Sequence, residues 1–487
     1  MNQAIRNVWI AVMVFFLAIM GSLSYIQFVA ADELNSNPLN RRQLYQDFDL
    51  ARGAILVNGN PVAESVESDG SFEYQRVYHD PELYSHLTGF YSLAHGSTHL
   101  ESSLNDWLTG QGDSQFFNRM MNLFSGSSNE GASVELTIDG ELQREIYDIL
   151  PDGVQMSAIV TEVKTGDIKA MVSKPSYDTN LLAVHNTQQA ATNMEELTAQ
   201  AGLSPYTNPA LGHLAAPGST FKIIDLVAGL ESGEYDLEGE YDNPQEITLP
   251  GSTATMSNFG QGICSQRETA TLEFIVAQSC NTPFAEMAQK VGADQMQETA
   301  ERFGFGQPVS IPLRTATSVF PSDMNDAQLS QAAIGQFDVK ATPLQMNMVA
   351  MGIANDGVIM QPNLIDQIIA PDLQVLEDPQ PEEFSTVTSP EVANDVTELM
   401  RAPLDGGTAS AADVPGLDVA AKTGTAQTGI EDEETGEELV NSWITGFAPA
   451  DDPQYAITIV AEKIDYETGH TLTSPNMKKI LEAVFNQ

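Results

Sequence analysis

The amino-terminal 31 residues constrain the fold most, because they contain a long apolar segment. An uncharged run from Val8 to Ala30 matches the roughly 20 residues that a helix needs to cross a bilayer. Arg6 precedes the run and Asp32 and Glu33 follow it, which predicts a single-pass plasma-membrane anchor with the bulk of the chain on the extracytoplasmic side. A signal peptide cleaved near Ala31 is the alternative, but the apolar core exceeds the usual length of about 7 to 15 residues.

Residues 32–155 and 156–487 differ in pattern and predict two units beyond the anchor. The first is rich in turns and short alternating strands, with a turn at Asn58-Gly59, and predicts a small mixed pedestal module. The second opens with the paired strands of SAIVTEVKTGDIKAMVS and closes with LDVAAKTGTAQT, SWITGFAP and QYAITIVAEK, while its middle is helical. This order predicts an α+β domain, in which one antiparallel sheet is flanked by helices.

The charge balance excludes one large class of partner. The chain has 67 acidic and 21 basic residues, a formal net charge of −46. Nucleic-acid binding needs a positive surface that displaces counterions from phosphates, so no nucleic-acid partner is expected. The seven histidines form no metal-binding motif, and we expect neither a metal site nor a cofactor.

A serine and a lysine in the segment APGSTFK suggest nucleophilic catalysis. Ser219 follows Pro217-Gly218 at the start of an apolar helix, and Lys222 lies one turn later on the same face. A serine hydroxyl is a poor nucleophile unless a base accepts its proton, and an amine can do so when burial and neighbouring positive charge lower its pKa. The spacing is common by chance, however, and is weak support on its own.

Two further segments strengthen this interpretation. QSCNTPF contains Ser279 and Asn281 after an apolar helix, and AAKTGTAQT contains Lys422, Thr423, Gly424 and Thr425 on a strand. The order Ser-x-x-Lys, Ser-x-Asn, Lys-Thr-Gly is the signature of penicillin-recognising serine acyltransferases.

With these motifs the chain resembles the class B penicillin-binding proteins, and within them the actinobacterial PbpA type. RGAIL and RVYHDPELYSHLTGFYS resemble the pedestal of that subgroup, and APGSTFK, QSCNTPF, GGTA, AAKTGTAQ and SWITGFAP resemble its transpeptidase domain in sequence and order. The resemblance implies a serine β-lactamase-like transpeptidase fold. It also implies a monofunctional peptidoglycan D,D-transpeptidase that cross-links stem peptides in cell-wall growth and division and is acylated by β-lactam antibiotics.

The chemistry and the resemblance suggest the same roles. Ser219 is expected to be the nucleophile and Lys222 its base, with Ser279 and Lys422 completing the catalytic set. Substrate binding is expected to involve four residues of the second and third motifs: Asn281, Thr423, Gly424 and Thr425.

Three alternatives share these motifs. A class A β-lactamase needs a Glu-x-x-Leu-Asn pattern, which is not found between Asn281 and Lys422. A D,D-carboxypeptidase differs only in using water as the acceptor, so the sequence distinguishes it poorly. A non-catalytic β-lactam sensor or scaffold would not need the intact residues of all three motifs.

Two further expectations concern a partner protein and the two cysteines. Only about 125 residues separate the anchor from the second domain, so a separate membrane glycosyltransferase is expected as partner. Cys264 and Cys280 form either a disulfide that braces the loop around Ser279 or two buried free thiols.

Overall fold

The computed structural model describes residues 3–28, 30, 48–110, 130–258, 263–432 and 435–486. Helix α1 (Gln3–Phe28) contains the segment Ile5–Gln27, which is long and apolar enough to cross a membrane and is not covered by the rest of the protein. The expected boundary between residues 31 and 32 lies outside the described residues.

The pedestal module consists of short strands and helices. Its strands are β1 (Ile55–Val57), β2 (Asn60–Glu67), β3 (Tyr74–Tyr78), β4 (Tyr91–Ser92), β5 (Gly96–Ser97) and β6 (Ser133–Leu136). Its helices are α2 (Ser85–Thr88), α3 (His99–Ser103) and α4 (Asn105–Leu108). Asn58 and Gly59 form the turn between β1 and β2, as their sequence predicts.

The carboxy-terminal domain contains the longer elements. Its strands are β7 (Gln155–Glu162), β8 (Ile168–Lys174), β9 (Glu240–Asp242), β10 (Glu246–Thr248), β11 (Thr255–Ser257), β12 (Thr269–Thr271), β13 (Val358–Met360), β14 (Ile365–Ile369), β15 (Val375–Glu377), β16 (Glu383–Thr386), β17 (Ala420–Glu431), β18 (Glu438–Ala448) and β19 (Tyr455–Ile464).

Helices surround these strands, and α5 leads into them from the pedestal. They are α5 (Gly140–Ile149), α6 (Thr187–Thr198), α7 (Pro209–Gly212), α8 (Lys222–Glu231), α9 (Leu272–Ala277), α10 (Thr282–Val291), α11 (Ala293–Arg302), α12 (Asp326–Ala332), α13 (Pro343–Ala354), α14 (Pro390–Arg401), α15 (Tyr466–Leu472) and α16 (Ser474–Phe485). Short 3-10 turns cover Thr179–Leu181, Gly218–Thr220, Cys264–Gln266 and Ser410–Ala412.

The main sheet of the carboxy-terminal domain has the order β17-β18-β19-β7-β8, and every neighbouring pair is antiparallel. Alternate side chains of its strands enter two apolar clusters, one on each face. Helix α13 packs on one face, while α5 and α16 cover the other. The predicted α+β architecture is therefore confirmed, with strands from both ends of the domain meeting at β19 and β7.

The sheet of the pedestal is not confined to the pedestal's own segment. Its order is β15-β14-β6-β1-β2-β3, so two strands of the carboxy-terminal domain extend it. Strand β14 pairs antiparallel with β6, with Ile368 opposite Val134. Without β14, one edge of β6 would present unpaired backbone groups. The boundary expected between residues 155 and 156 divides the chain into two segments, but both segments contribute strands to this sheet.

Buried charges hold the pedestal together. Glu101 accepts hydrogen bonds of 2.6 Å from Nε of both Arg52 and Arg76, and all three side chains are buried. Tyr78 donates to the same carboxylate at 3.1 Å, and Arg52 donates to Asn105 Oδ1 at 2.8 Å. We call Arg52, Arg76 and Glu101 the pedestal triad.

Candidate active site

Ser219 lies on the 3-10 turn Gly218–Thr220, immediately before helix α8. The sequence predicted that Ser219 would belong to the first turn of the helix itself, and this was wrong. The hydroxyl of Thr220 donates to the carbonyl of Pro217 at 2.7 Å, and the N–H of Phe221 bonds the carbonyl of Gly218 at 2.9 Å. These i to i−3 bonds tighten the chain before regular helix begins.

Two glycines allow this turn to lie directly against strand β17. A Cβ atom at Gly218, whose φ is +54°, would lie 2.6 Å from the carbonyl oxygen of Thr425. A Cβ atom at Gly424 would lie 2.6 Å from the carbonyl oxygen of Pro217. Side chains at either position would separate the turn from the strand, so both glycines are needed to bring Ser219 beside Thr425.

Lys222 is the first residue of α8, and its side chain is fully buried. Its Nζ donates to the carbonyl oxygens of Ser279 at 2.9 Å and Cys280 at 3.0 Å, and to Oδ1 of Asn281 at 2.8 Å. Nζ also lies 3.5 Å from the Ser279 hydroxyl. The first and second motifs are therefore joined through this one amine.

Ser279 connects the second motif to the third. It follows helix α9 with φ +56°, a left-handed conformation that is uncommon for a residue other than glycine. Lys422, on β17, donates from Nζ to Ser279 Oγ at 2.8 Å and to the carbonyl of Thr423 at 3.0 Å. The Ser279 hydroxyl consequently lies between two lysine amines that are 200 residues apart in the chain.

Neither lysine has an acidic partner in a salt bridge within the described residues. Burial lowers the pKa of Lys422 to about 7. Burial, and then the charge of Lys422, hold the pKa of Lys222 well below its usual value of 10.5, although Asp225 opposes them. Burial and the charge of Lys422 therefore favour the deprotonated form of Lys222, which is the form that proton abstraction requires.

Asn281 is oriented by Asn258, a residue that no sequence motif indicated. Asn258 Oδ1 accepts the backbone N–H groups of Asn281 at 2.6 Å and Thr282 at 3.0 Å. The side-chain amide of Asn281 donates to the carbonyl of Ser257 at 3.2 Å. With its oxygen bonded to Lys222 and its amide bonded to Ser257, Asn281 has a defined orientation at the start of α10.

The third motif occupies an edge strand of the main sheet. Among the residues that the structure describes, strand β17 pairs with β18 alone in that sheet, where Thr423 lies opposite Ile444 and Thr425 opposite Ser442. The hydroxyl of Thr423 donates to the hydroxyl of Thr408 at 2.7 Å. Thr408 belongs to the GGTA segment, which the sequence associated with the transpeptidase domain but not with the site. An edge strand can pair with an extended peptide through its backbone.

A disulfide joins Cys264 to Cys280, with a Cα–Cα distance of 5.8 Å. Cys280 lies between Ser279 and Asn281, and its carbonyl accepts the hydrogen bond from Lys222. The bridge fastens this segment to the 3-10 turn Cys264–Gln266. The backbone acceptors around Lys222 are therefore tied covalently to a neighbouring loop.

The eight predicted catalytic and substrate-binding residues thus lie along one continuous arrangement of turn, loop and strand. Ser219 precedes Lys222 on the turn, Lys222 bonds the Ser279–Asn281 segment, and Lys422 returns from β17 to Ser279. Among the described residues no cluster of acidic, histidine or cysteine side chains suits a metal ion.

Comparison with known proteins identifies two sequence families along the chain. The penicillin-binding protein transpeptidase domain matches residues 156–482. The penicillin-binding protein A dimerisation domain matches residues 52–134. The second match covers much of the pedestal module but includes neither β14 nor β15.

Full-length relatives agree with these matches. Peptidoglycan D,D-transpeptidase PbpA of Mycolicibacterium smegmatis is 37% identical over 467 residues, which cover 95% of this chain and 94% of the relative. The ceftriaxone acyl-enzyme complex of penicillin-binding protein A from Mycobacterium tuberculosis is 34% identical, with a TM-score of 0.85 over 91% of this chain and 100% of that one. The penicillin G acyl-enzyme complex of the same protein is 35% identical, with a TM-score of 0.83 over 89% of this chain and 99% of that one. The chain therefore belongs to the penicillin-binding protein transpeptidase family.

Proposed function

We propose that this protein is a serine-type peptidoglycan D,D-transpeptidase that is also acylated by β-lactam antibiotics. The observation that carries the proposal is the bonding of Lys222 and Lys422 around Ser279, immediately beside the turn that bears Ser219. The names of the similar proteins, a peptidoglycan D,D-transpeptidase and two β-lactam acyl-enzymes, support the same reaction and the same inhibitors.

The first step forms an acyl-enzyme. Ser219 Oγ attacks the carbonyl carbon of the penultimate D-alanine of a donor stem peptide, and Lys222 takes the hydroxyl proton as the base. The proton reaches the departing D-alanine nitrogen by way of Ser279, so the peptide bond breaks as the ester forms. The backbone N–H groups of Ser219 and Thr425 stabilise the oxyanion, each contributing on the order of 3 kcal/mol.

The second step transfers the acyl group. The amine of a neighbouring stem peptide attacks the ester carbonyl, loses a proton to the same lysine, and releases Ser219 as the cross-link forms. A β-lactam enters by the first step, because its strained amide is attacked by Ser219 in the same way.

Substrate binding falls to the residues of the second and third motifs. The edge of β17 pairs with the donor peptide through its backbone, while Gly424 faces the turn that bears Ser219. The hydroxyls of Thr423 and Thr425 receive the terminal carboxylate, while Asn281 bonds the donor amide. Lys422 adds positive charge in the fraction of molecules in which it is protonated, about half at pH 7 given its pKa of about 7.

The anchor places the site outside the cell in this proposal. Helix α1 spans the plasma membrane once, with Arg6 on the cytoplasmic side and the pedestal beyond the outer face. We further propose that a separate membrane glycosyltransferase supplies the glycan strands. Loss of co-purification with that partner after exchange of Val8–Ala30 for an unrelated membrane helix would support contact through the anchor, and retention would exclude it.

Substitution of the nucleophile tests the function. Ser219→Ala should abolish both covalent labelling by a fluorescent penicillin and turnover of a donor peptide, whereas Ser322→Ala, which removes an exposed hydroxyl, should leave both unchanged. Turnover that survives in Ser219→Ala would contradict the proposed mechanism.

Product analysis then separates the alternatives. A transpeptidase transfers the acyl group to an added amine, while a carboxypeptidase releases it to water at the same rate whether or not the amine is present. Labelling without any turnover would identify a β-lactam sensor.

A further inference from the structure

Asp225 is a buried acidic residue that the mechanism above does not use. It lies three residues after Lys222 on α8, and its side chain, like that of Lys222, is fully buried. Residues at this spacing lie on the same helix face, with Cβ atoms about 5 to 6 Å apart. Neither carboxyl oxygen is exposed to water, and neither has a hydrogen-bond partner among the described residues.

Such a carboxyl group is costly to keep. A buried polar group without a hydrogen bond destabilises the folded state, and an isolated buried charge does so more strongly. An apolar residue would fill the same position between packed helices without that cost. The neighbouring positions Ile224 and Leu226 are also fully buried and are apolar, which makes the acid at position 225 an exception on its own helix.

The surrounding helices offer Asp225 no cation. Helix α8 packs against α10, α11 and α14. The basic residues on those helices pair with other acids, in the contacts Lys290–Glu286, Arg302–Glu231, Arg401–Glu398 and Arg401–Asp418. The remaining acidic residues on those helices are exposed or half-exposed: Asp294, Glu298, Glu301, Glu391 and Asp395.

The charges that act on this pair are therefore few. Burial raises the pKa of Asp225 well above its usual value, and Lys222 is the charge that opposes this rise. For Lys222, burial and then Lys422 lower the pKa, and Asp225 opposes both. The charge of Asp225 opposes the effect of burial on the pKa of Lys222, and the charge of Lys222 opposes the effect of burial on the pKa of Asp225.

We propose that Asp225 is a positioning residue for acylation, which acts through Lys222 by electrostatically favouring the protonated form of that amine. The proposal rests on the function proposed above, in which Lys222 takes the proton of Ser219. Lys422 and the dry surroundings favour the free amine, and Asp225 keeps that amine basic enough to accept a proton.

The benefit follows from the strength of the base. An amine whose pKa falls far below the working pH is always deprotonated, but it is also a weak base. When the amine accepts the serine proton, its charge favours ionisation of the carboxyl group one turn away, and the resulting carboxylate stabilises the ammonium without entering the cleft. The Ser219 proton then has a more favourable acceptor while the ester bond forms, and no atom of Asp225 contacts the substrate.

The pH profile of acylation tests this role. We would measure the rate constant for acylation of the full-length protein by a fluorescent penicillin from pH 5 to 9, in wild type, Asp225→Asn and Asp225→Leu. Both variants should move the midpoint of the acid limb to lower pH by about one unit, because Lys222 loses its proton more readily without the carboxylate. Both should also lower the plateau rate, about threefold, because the base is weaker.

A matched control removes the same charge elsewhere. Glu234→Gln changes an exposed carboxylate after the end of α8, and its midpoint should equal that of wild type. Thermal unfolding should show that at least one Asp225 variant is as stable as wild type, since each removes a buried acid.

The outcomes separate the two proposals. An unchanged midpoint in both folded variants, or a midpoint that moves to higher pH, would overturn the role of Asp225 and leave the proposed function intact. A wild-type protein that forms no penicillin adduct at any pH would overturn the proposed function and this inference together.

Discussion

The pedestal and the active site both bury charged side chains, but they balance those charges in opposite ways. In the pedestal triad, two arginines share one glutamate. Burial alone would raise the pKa of Glu101, but the charges of Arg76 and Arg52 outweigh it and the pKa is lowered. In the active site two lysines lie around one neutral serine, and burial lowers both of their pKa values. The paired charges of the triad are held ionised and stabilise the fold, whereas burial shifts the two amines, which have no salt-bridge partner among the described residues, towards the deprotonated form that can act as a base.

The largest expected effect concerns the unpaired amine at position 222. Lys222→Met should slow acylation by a fluorescent penicillin roughly 10²- to 10⁴-fold, because it removes the base. The free energy of unfolding should change little, because removing the cost of burying the amine offsets the loss of its hydrogen bonds and of its charge beside Asp225. Acylation rates and denaturant unfolding of the same preparation check both statements. A large fall in the free energy of unfolding of Lys222→Met would instead show that Lys222 stabilises the fold, as the pedestal triad does.

The opposite result is expected in the pedestal. Glu101→Gln should lower the free energy of unfolding by about 3–5 kcal/mol, because it leaves two buried guanidinium groups without their carboxylate. The acylation rate of the fraction that remains folded should match that of wild type. Glu67→Gln, which changes an exposed carboxylate on β2, serves as the control and should unfold like wild type. If Glu101→Gln unfolded like wild type, the proposed contrast between the pedestal triad and the active-site lysines would be lost.

The pH dependence of stability should distinguish the clusters more finely. The pKa of Lys422 is about 7 in the folded protein against an ordinary value of 10.5, so the folded state loses stability as the pH falls from 10.5 towards 7. Lys422→Met lacks this loss, and its stability advantage over wild type should grow across that range, by a few kcal/mol, and stay constant below it. The Glu101→Gln deficit should instead shrink only as the pH falls below the ordinary glutamate value of 4.5. Equilibrium unfolding of both variants and of wild type at a series of pH values measures these stability differences. If the two differences changed over the same pH range, the contrast between the pedestal triad and the active-site lysines would be contradicted.

The smallest effect concerns salt. With a net charge of −46, the surface repels itself, and raising the ionic strength from about 0.05 to 1 M should raise Tm by a few degrees. The unfolding deficit of Glu101→Gln should stay the same, because a buried ion pair is screened far less than exposed charges. A deficit that disappears in salt would mean that water reaches the triad.

Local sequence signals predicted much of the active site, and long-range pairing explains what they missed. Ser219 and Lys222 share one turn and were found from their spacing. The meeting of Ser279 with Lys422 depends on folding of a large part of the chain, and it was expected only from the combination of motifs. The pedestal triad was not predicted, because the sequence does not distinguish a buried arginine from an exposed one. Asp225 was overlooked for the same reason, since its burial depends on helices that are distant in sequence.

The shape of the main sheet followed from the sequence more readily than that of the pedestal sheet. Strands β7, β8, β17, β18 and β19 are long, and three of the four pairings between them are local hairpins. Strands β14 and β15 are short, and β14 pairs with β6 across more than two hundred residues. No local pattern specifies such a partner, so the sequence predicted a simpler boundary than the structure has.

The return of β14 and β15 to the pedestal limits how the molecule can be divided or inherited. A recombination event that exchanged residues 32–155 between relatives would place a foreign β6 against a resident β14, in a register set by Ile368 and Val134. A fragment starting at residue 156 would carry this hairpin with no sheet to join. Pedestal and catalytic domain are therefore expected to evolve as one unit, and successful chimeras should exchange the hairpin along with the amino-terminal segment.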